Sequence, residues 1–222
     1  AAGSLVESFG AGLMLQPHGL HVAPDGSIWV TDAQGPDGSG SDPRQDGKGH
    51  VVLKFSPEGA LLLTLGTPGV GAASPDTLDQ PCDVVVAPDG TIYVADGHGG
   101  QLPGAGPHTT ARIVKFAPDG TFLMEWGSHG SEPGQFRTPH AIALDSRGQI
   151  VVADRGNDCL RLLSPPPARS GGGDNGGGWS VRTLCGAPGR TRGPRACPVS
   201  AGALQAPSGV CVAAGGALAV AQ

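Results

Sequence analysis

Short apolar segments alternate with glycine-containing turns along most of this chain. The stretch from Pro17 to Asp32, PHGLHVAPDGSIWVTD, shows the pattern clearly: an apolar strand, a tight PDG turn, and a second strand that carries a large aromatic residue. No segment repeats its apolar residues with the 3.6-residue period of a helix. The pattern therefore predicts an all-β protein.

The same sixteen-residue pattern returns three more times without gaps. It reads PCDVVVAPDGTIYVAD from Pro81, PHAIALDSRGQIVVAD from Pro139 and, in a degenerate form, PSGVCVAAGGALAVAQ from Pro207. Two further matching segments follow the first two copies, VVLKFSPEGALLLTLG from Val51 and RIVKFAPDGTFLMEWG from Arg112. Four short strands in each unit, joined by glycine-containing turns, predict the four-stranded blades of a β-propeller.

The repeats organise the chain as one partial propeller over residues 1–222, with three full units and a fragment. The units are predicted near 17–66, 81–127, 139–185 and 207–222, and Gly/Pro-rich loop insertions at 35–49, 99–110 and 165–178.

Composition narrows the class of partner. Charged residues make up only 15% of the chain and the net charge is −5, so a basic nucleic-acid-binding surface is not expected. No apolar run approaches the length of about 18 residues that predicts a transmembrane helix. The five cysteines form no CxxC pair and fix neither a zinc knuckle nor a redox compartment.

Two histidines occupy the same position of the repeat. His18 and His140 follow the leading proline of the first and third units, where the other two units carry Cys82 and Ser208. Equivalent positions of a propeller are related by rotation about its axis, so these side chains are expected to converge. Imidazoles that converge on a channel are typical of a catalytic zinc site, whereas packed structural histidines are the alternative.

The motifs QPHGLHVAPDGSIWVTD, QPCDVVVAPDGTIYVADG and PGQFRTPHAIALDSRGQIVVADRGND resemble the peptidyl-α-hydroxyglycine α-amidating lyases, a family of six-bladed propellers built from NHL-type repeats. The resemblance runs from about Leu15 to Leu163. It implies a zinc-dependent lyase that converts a peptide ending in α-hydroxyglycine into a peptide amide and glyoxylate. It also implies a secretory or extracellular location and a monooxygenase as partner or neighbouring domain.

The resemblance assigns roles to individual residues. His18 and His140 match two of three zinc-binding histidines, the third of which belongs to a later blade outside this chain. Arg155 matches an arginine that holds the substrate carboxylate, and the backbone carbonyl of Leu20 matches a ligand of a structural calcium. The family places a catalytic tyrosine where this chain has His98, which we expect to accept the substrate proton instead.

Two other functions fit the same repeats. The first is a non-catalytic NHL propeller that binds a protein or peptide, which the replaced tyrosine favours. The second is a propeller enzyme that acts on another small substrate through a divalent ion.

The remaining candidate residues receive structural interpretations. The aspartate that ends the second strand of each full unit is expected to accept backbone N–H bonds; these are Asp32, Asp96 and Asp154. Four histidines without a repeat partner are expected in loops or at the surface: His21, His50, His108 and His129.

Overall fold

The computed structural model describes residues 3–5, 7–35, 45, 47–165, 178–186, 204, 206–213 and 217–222. Most of the insertions predicted at 35–49 and 165–178 lie outside these residues, as does Cys197. The described residues contain fourteen strands and no α-helix. A helix long and apolar enough to cross a membrane is accordingly not found in the described part of the chain.

The strands are short and fall into four groups. In chain order they are β1 (Pro17–Val22), β2 (Ile28–Asp32), β3 (Val51–Phe55), β4 (Leu61–Leu65), β5 (Pro81–Val86), β6 (Ile92–Asp96), β7 (Arg112–Phe116), β8 (Phe122–Trp126), β9 (Pro139–Leu144), β10 (Ile150–Asp154), β11 (Cys159–Ser164), β12 (Ser180–Gly186), β13 (Gly209–Val212) and β14 (Leu218–Ala221).

Each repeat folds into one antiparallel sheet in which consecutive strands are neighbours. The sheets have the orders β1-β2-β3-β4, β5-β6-β7-β8 and β9-β10-β11-β12, and β13 and β14 pair to begin a fourth. The first strands lie next to one another, because β5 packs against both β1 and β9, and β9 also packs against β13. This arrangement confirms the predicted β-propeller, with the first strand of each blade nearest the axis.

Glycine makes the tight turns between the first and second strands possible. Gly26 and Gly90 occupy the same turn of blades one and two, with φ of 81° and 86°. Each donates its N–H across the turn, to Ala23 and Ala87 respectively, at 2.9 Å. A positive φ carries no steric penalty at glycine, so the sequence PDG closes these turns without strain.

The hydrophobic core lies between neighbouring blades. One cluster joins blades one and two, where Trp29, Leu78 and Val94 are almost fully buried. A second joins blades two and three, through residues such as Ile113 and Ile150. The propeller is thus stabilised by burial of apolar side chains between sheets.

The recurring aspartates are fully buried and accept backbone N–H bonds, which confirms the structural interpretation. Asp32 accepts the N–H groups of Leu15 and Gln16 at 2.6–3.1 Å. Asp154 does the same for the residues that precede Pro139, with distances of 2.9 and 3.1 Å. Each aspartate therefore holds the segment that enters its own blade.

Candidate metal centre

The two repeated histidines are oriented by the same contact. His18 stands on β1, and its Nδ1 lies 2.8 Å from the backbone carbonyl oxygen of Cys82. His140 stands on β9, and its Nδ1 lies 2.9 Å from the carbonyl oxygen of Ser208. A carbonyl oxygen only accepts, so Nδ1 carries the proton in both rings. In the neutral form of either ring, Nε2 is the nitrogen that carries the lone pair.

His98 is the third member of this cluster. It begins a short 3₁₀ turn, His98–Gln101, directly after β6 and Gly97. Its ring centroid lies 4.8 Å from that of His18 and 5.4 Å from that of His140, and those two are 4.7 Å apart. One ring nitrogen from each residue falls within 4.8 Å of the other two.

This donor set fits a transition-metal ion. Zinc bonds to imidazole nitrogen are 2.0–2.1 Å long, so a tetrahedral ion needs nitrogens about 3.4 Å apart, and the three nitrogens here lie within 4.8 Å of one another. The Nδ1–H bonds of His18 and His140 to carbonyl oxygens are the outer contacts that usually orient metal-binding histidines. Three imidazoles leave a fourth position for a water molecule or a substrate.

The electrostatics keep two of these rings neutral. Burial, with smaller contributions from His18 and Arg155, lowers the pKa of His98 to about 4. Burial also lowers the pKa of His140 to about 4, and the nearby His18 and Arg155 act in the same direction. A neutral imidazole is the form that binds a metal. An imidazole with so low a pKa is also a weak proton acceptor at pH 7.

Arg155 reaches the cluster from the end of β10. Its Nη1 lies 3.3 Å from Nε2 of His140. A guanidinium only donates, so this contact agrees with a proton on Nδ1 of His140. The side chain is half-buried beside the three rings, where its planar fork can bind a carboxylate.

Cys82 and Leu20, two other residues singled out in the sequence, add no side-chain donor to the three-imidazole cluster. Cys82 is fully buried, and burial raises the pKa of its thiol well above the usual range, so the thiolate that binds metals is disfavoured. Leu20 stands on β1 with its side chain mostly exposed. Together with Asp83 it lines a cavity of about 500 Å³ along the inner strands.

The position of His98 depends on close backbone packing that the sequence does not reveal. A Cβ atom at Gly100 would lie 1.6 Å from the carbonyl oxygen of Arg137 at the entrance to blade three. The turn that carries His98 therefore rests directly on the neighbouring blade. This contact brings His98 next to two histidines that are distant from it in the chain.

The expectation for the four remaining histidines is confirmed only in part. His108 is exposed in a loop, as expected. His21 lies within β1 rather than in a loop. His50 immediately precedes β3, and its side chain is only 12% exposed. His50 stands directly before the third strand of its blade, at the position that Asp158 occupies in blade three.

Comparison with protein families identifies one repeat directly: residues 136–161 match the NHL repeat. Among curated proteins, the chain is 38% identical over 146 residues to human NHL repeat-containing protein 3, covering 64% of this chain and 37% of that protein. It is 32% identical over 164 residues to a probable peptidyl-alpha-hydroxyglycine alpha-amidating lyase of Caenorhabditis elegans, covering 72% and 40% respectively.

A third relative is the mouse peptidyl-glycine alpha-amidating monooxygenase, which is 35% identical over 162 residues and is aligned over 69% of this chain and 14% of its own length. The chain spans less than half the length of these curated relatives. Among solved structures, a gluconolactonase of Xanthomonas campestris matches with a TM-score of 0.53 and 20% identity, over 98% of this chain and 57% of that one. That likeness concerns the fold alone. The chain thus contains one recognisable NHL repeat, at residues 136–161, within a β-propeller fold.

Proposed function

We propose that this NHL-repeat propeller is a metal-dependent lyase that cleaves peptidyl-α-hydroxyglycine into a peptide amide and glyoxylate. The observation that carries the proposal is the meeting of three imidazoles with one guanidinium, His140 and Arg155 being 3.3 Å apart. Relatives whose names include this lyase activity, at 32% identity, support it. Zinc is the metal we propose for the site.

Arg155 gives the substrate its orientation. The carboxylate of α-hydroxyglycine binds the guanidinium through two parallel hydrogen bonds. The carbon next to the carboxylate carries both the hydroxyl group and the peptide nitrogen, and Arg155 lies 3.3 Å from His140, so a carboxylate held at Arg155 would keep these two groups close to the imidazole cluster. The site would therefore contact both the terminal carboxylate and the α-hydroxyl group, and the hydroxyl group is what distinguishes this substrate from an ordinary peptide.

The reaction needs no oxidant. The hydroxyl group loses its proton, the carbon–oxygen bond becomes the carbonyl of glyoxylate, the C–N bond breaks, and the nitrogen gains a proton to become the amide. Zinc held by His18, His98 and His140 would lower the pKa of a hydroxyl group bound to it. The chain's own contribution is to hold the carboxylate at Arg155, beside a pocket of about 210 Å³ that His18, Cys82 and His140 line.

We assign His98 to the metal, in place of the proton-accepting role predicted from the sequence. Its nitrogen is grouped with those of His18 and His140 in one cluster, and its low pKa makes it a weak base at pH 7. With His98 as a ligand, the described blades supply three imidazoles without a residue from a later blade.

The test combines glyoxylate release from a short peptide ending in α-hydroxyglycine with titration of the protein by Co²⁺, whose visible absorption reports tetrahedral nitrogen ligands. His18→Ala and His140→Ala should lose both activity and the Co²⁺ spectrum, whereas His108→Ala, an exposed loop histidine, should change neither. Full glyoxylate release in both alanine variants would refute the mechanism in which His18 and His140 hold a catalytic metal.

His98→Tyr separates the two roles of His98. If His98 binds the metal, the tyrosine variant weakens Co²⁺ binding as much as His98→Ala does. If His98 accepts the proton, the tyrosine variant keeps Co²⁺ affinity and activity, and the ligand assignment is wrong.

The propeller as a non-catalytic binding module is the second candidate. It is favoured by the 38% identity to human NHL repeat-containing protein 3, whose name carries no activity, and by the histidine in place of the family's tyrosine. Absence of both Co²⁺ binding and glyoxylate release would support this function.

The cellular setting follows from the same proposal. We propose that the protein works in the secretory pathway and that a monooxygenase supplies its hydroxylated peptide, because the chain aligns with proteins named as amidating monooxygenases. We also propose a structural calcium at the carbonyl of Leu20. The role of the monooxygenase is tested by amide formation from a glycine-extended peptide with the monooxygenase present or omitted. The calcium site is tested by a calcium-dependent rise in Tm.

A further inference from the structure

Two side chains, His50 and Asp158, occupy the same position in blades one and three and make the same kind of contact. Each directly precedes the third strand of its blade. Nδ1 of His50 accepts the N–H of Gln80 at 3.1 Å, and Oδ1 of Asp158 accepts the N–H of Ala206 at 2.7 Å. Gln80 and Ala206 are themselves equivalent, since each precedes the proline that opens the next unit.

All four residues have backbone conformations that non-glycine residues rarely adopt. The φ angles are 57° at His50, 63° at Gln80, 51° at Asp158 and 43° at Ala206. Such a conformation is unfavourable for a residue with a Cβ atom and persists only where its surroundings hold it in place. Finding the same pair of residues in this conformation twice, His50 with Gln80 and Asp158 with Ala206, means that the strain is maintained at a defined position of the repeat.

The arrangement leads directly to the metal centre. Two residues after Gln80, the carbonyl oxygen of Cys82 accepts the Nδ1 proton of His18. In the other blade, two residues after Ala206, the carbonyl oxygen of Ser208 accepts the Nδ1 proton of His140. The segments that His50 and Asp158 hold are therefore the ones that orient the two metal-binding rings.

Blade two lacks both parts of this arrangement. The position equivalent to His50 is Ala111, whose side chain has no acceptor atom, and the axial position of that blade's unit is Cys82 rather than histidine. The acceptor before the third strand thus occurs in the two full blades that carry an axial imidazole and is missing from the one that does not. A purely structural turn contact would be expected in all three.

His50 has a second effect, on His98. The carbonyl oxygen of Gln80 accepts the N–H of His98 at 3.0 Å and that of Gly97 at 3.3 Å. The imidazole of His50 is itself confined, because a Cβ atom at Gly35 or Gly71 would lie 2.1 or 2.7 Å from it. A rigid ring therefore fixes Gln80 from one side, and Gln80 fixes the start of the His98 turn from the other.

We propose that His50 and Asp158 are positioning residues of the metal centre, acting through Gln80 on His18 and His98 and through Ala206 on His140. Neither touches the metal-binding nitrogens. The inference rests on the proposed metal site for its functional meaning, but the orientation of the rings is measurable without any metal.

The experiment uses three substitutions at each position. Asparagine keeps an acceptor and tolerates positive φ, glycine tolerates positive φ but has no acceptor, and alanine offers neither. Imidazole ¹⁵N shifts of the metal-free protein report which ring nitrogen carries the proton, and Co²⁺ titration reports affinity. His108→Ala is the control.

The expected pattern is specific to each blade. In His50→Gly the proton of His18 should no longer be held on Nδ1, so the ¹⁵N shifts of His18 should change and those of His140 should not. Asp158→Gly should change the shifts of His140 and leave those of His18 as in wild type. The asparagine variants should retain the wild-type shifts. The glycine variants should lose about 10-fold in Co²⁺ affinity, the lower end of what outer contacts of a metal site contribute.

Three results would overturn the inference. Unchanged shifts and affinity in all six variants would show that the contacts position nothing. Equal losses in the asparagine and glycine variants would assign the effect to packing rather than to the acceptor. Asparagine and glycine variants that both match wild type, with losses only in alanine, would assign it to backbone strain. Fixed rings in a protein that binds no Co²⁺ would instead contradict the proposed function and leave the positioning intact.

Discussion

Arg155 donates to His140, with Nη1 of the guanidinium 3.3 Å from Nε2 of the imidazole. The lone pair that accepts this bond is the one that would bind a metal ion. The same arginine is the group proposed to hold the substrate carboxylate. The metal ion and the Arg155 guanidinium are therefore expected to compete for the same nitrogen of His140. The metal ion and the substrate carboxylate are expected to bind next to each other.

Replacing Arg155 should separate these two effects. Arg155→Met removes the positive charge beside His140, so we expect Co²⁺ to bind as tightly as in wild type or several-fold more tightly. The same change should lower kcat/KM for glyoxylate release by at least about 100-fold, because a charge-assisted pair to the carboxylate contributes about 3 kcal/mol.

Arg155→Lys is the matched control for geometry. It keeps the charge but lacks the planar fork, so its activity should fall between wild type and Arg155→Met. Wild-type kinetics in Arg155→Met would exclude the carboxylate-binding role.

Gly100→Ala tests whether close packing places His98. The added Cβ atom would lie 1.6 Å from the Arg137 carbonyl oxygen, so the turn must shift away from blade three. We expect weaker Co²⁺ binding and reduced glyoxylate release, both measured on protein whose Tm confirms folding. Gly106→Ala is the control, since its nearest atom would be 4.0 Å away, and it should behave like wild type. Equal behaviour of the two variants would contradict the packing argument.

Arg112 should matter for stability rather than for chemistry. Its Nε donates to the fully buried Asp96 at 2.9 Å, and Nη2 donates to the carbonyl oxygen of Thr77 at 2.8 Å. Arg112→Ala leaves a buried carboxylate without its partner, so the free energy of unfolding should fall by about 3–5 kcal/mol. Urea unfolding measures this. Arg147→Ala, at an exposed turn, should change it by less than about 0.5 kcal/mol.

Asp83 should make stability depend on pH. Burial raises the pKa of its carboxyl to about 6, although it accepts the N–H groups of Ile142 and Val84. The folded state therefore holds this proton to higher pH than the unfolded state, so its contribution to stability is complete below about pH 4 and is lost as the pH rises through 6. The loss is roughly 3 kcal/mol from a shift of about two pKa units.

The measurement for Asp83 is the free energy of unfolding between pH 4 and 7. Asp83→Asn cannot titrate, so its curve should be flatter than that of wild type by about that amount. Parallel curves for the two proteins would show that the pKa of Asp83 is not raised.

Several features of the site could be predicted from the repeat alone. The alignment of His18 with His140 predicted that their side chains converge, because equivalent repeat positions are related by rotation about the propeller axis. The buried aspartates followed from the same reasoning. The positions of His98 and His50 could not be predicted from the repeat, since neither has a histidine at its equivalent position in another blade. Their positions depend on contacts between blades.

The sequence by itself determined the all-β fold, the strands of each blade and the direction in which the axial side chains point. These are local properties, set by apolar alternation, by glycine at turns with positive φ and by repetition of both. Only the tertiary structure decided that His98 joins His18 and His140, and that His50 and Asp158 hold the segments behind them. Those contacts join residues of different blades, and their geometry is fixed by how closely the sheets pack rather than by any pattern along the chain.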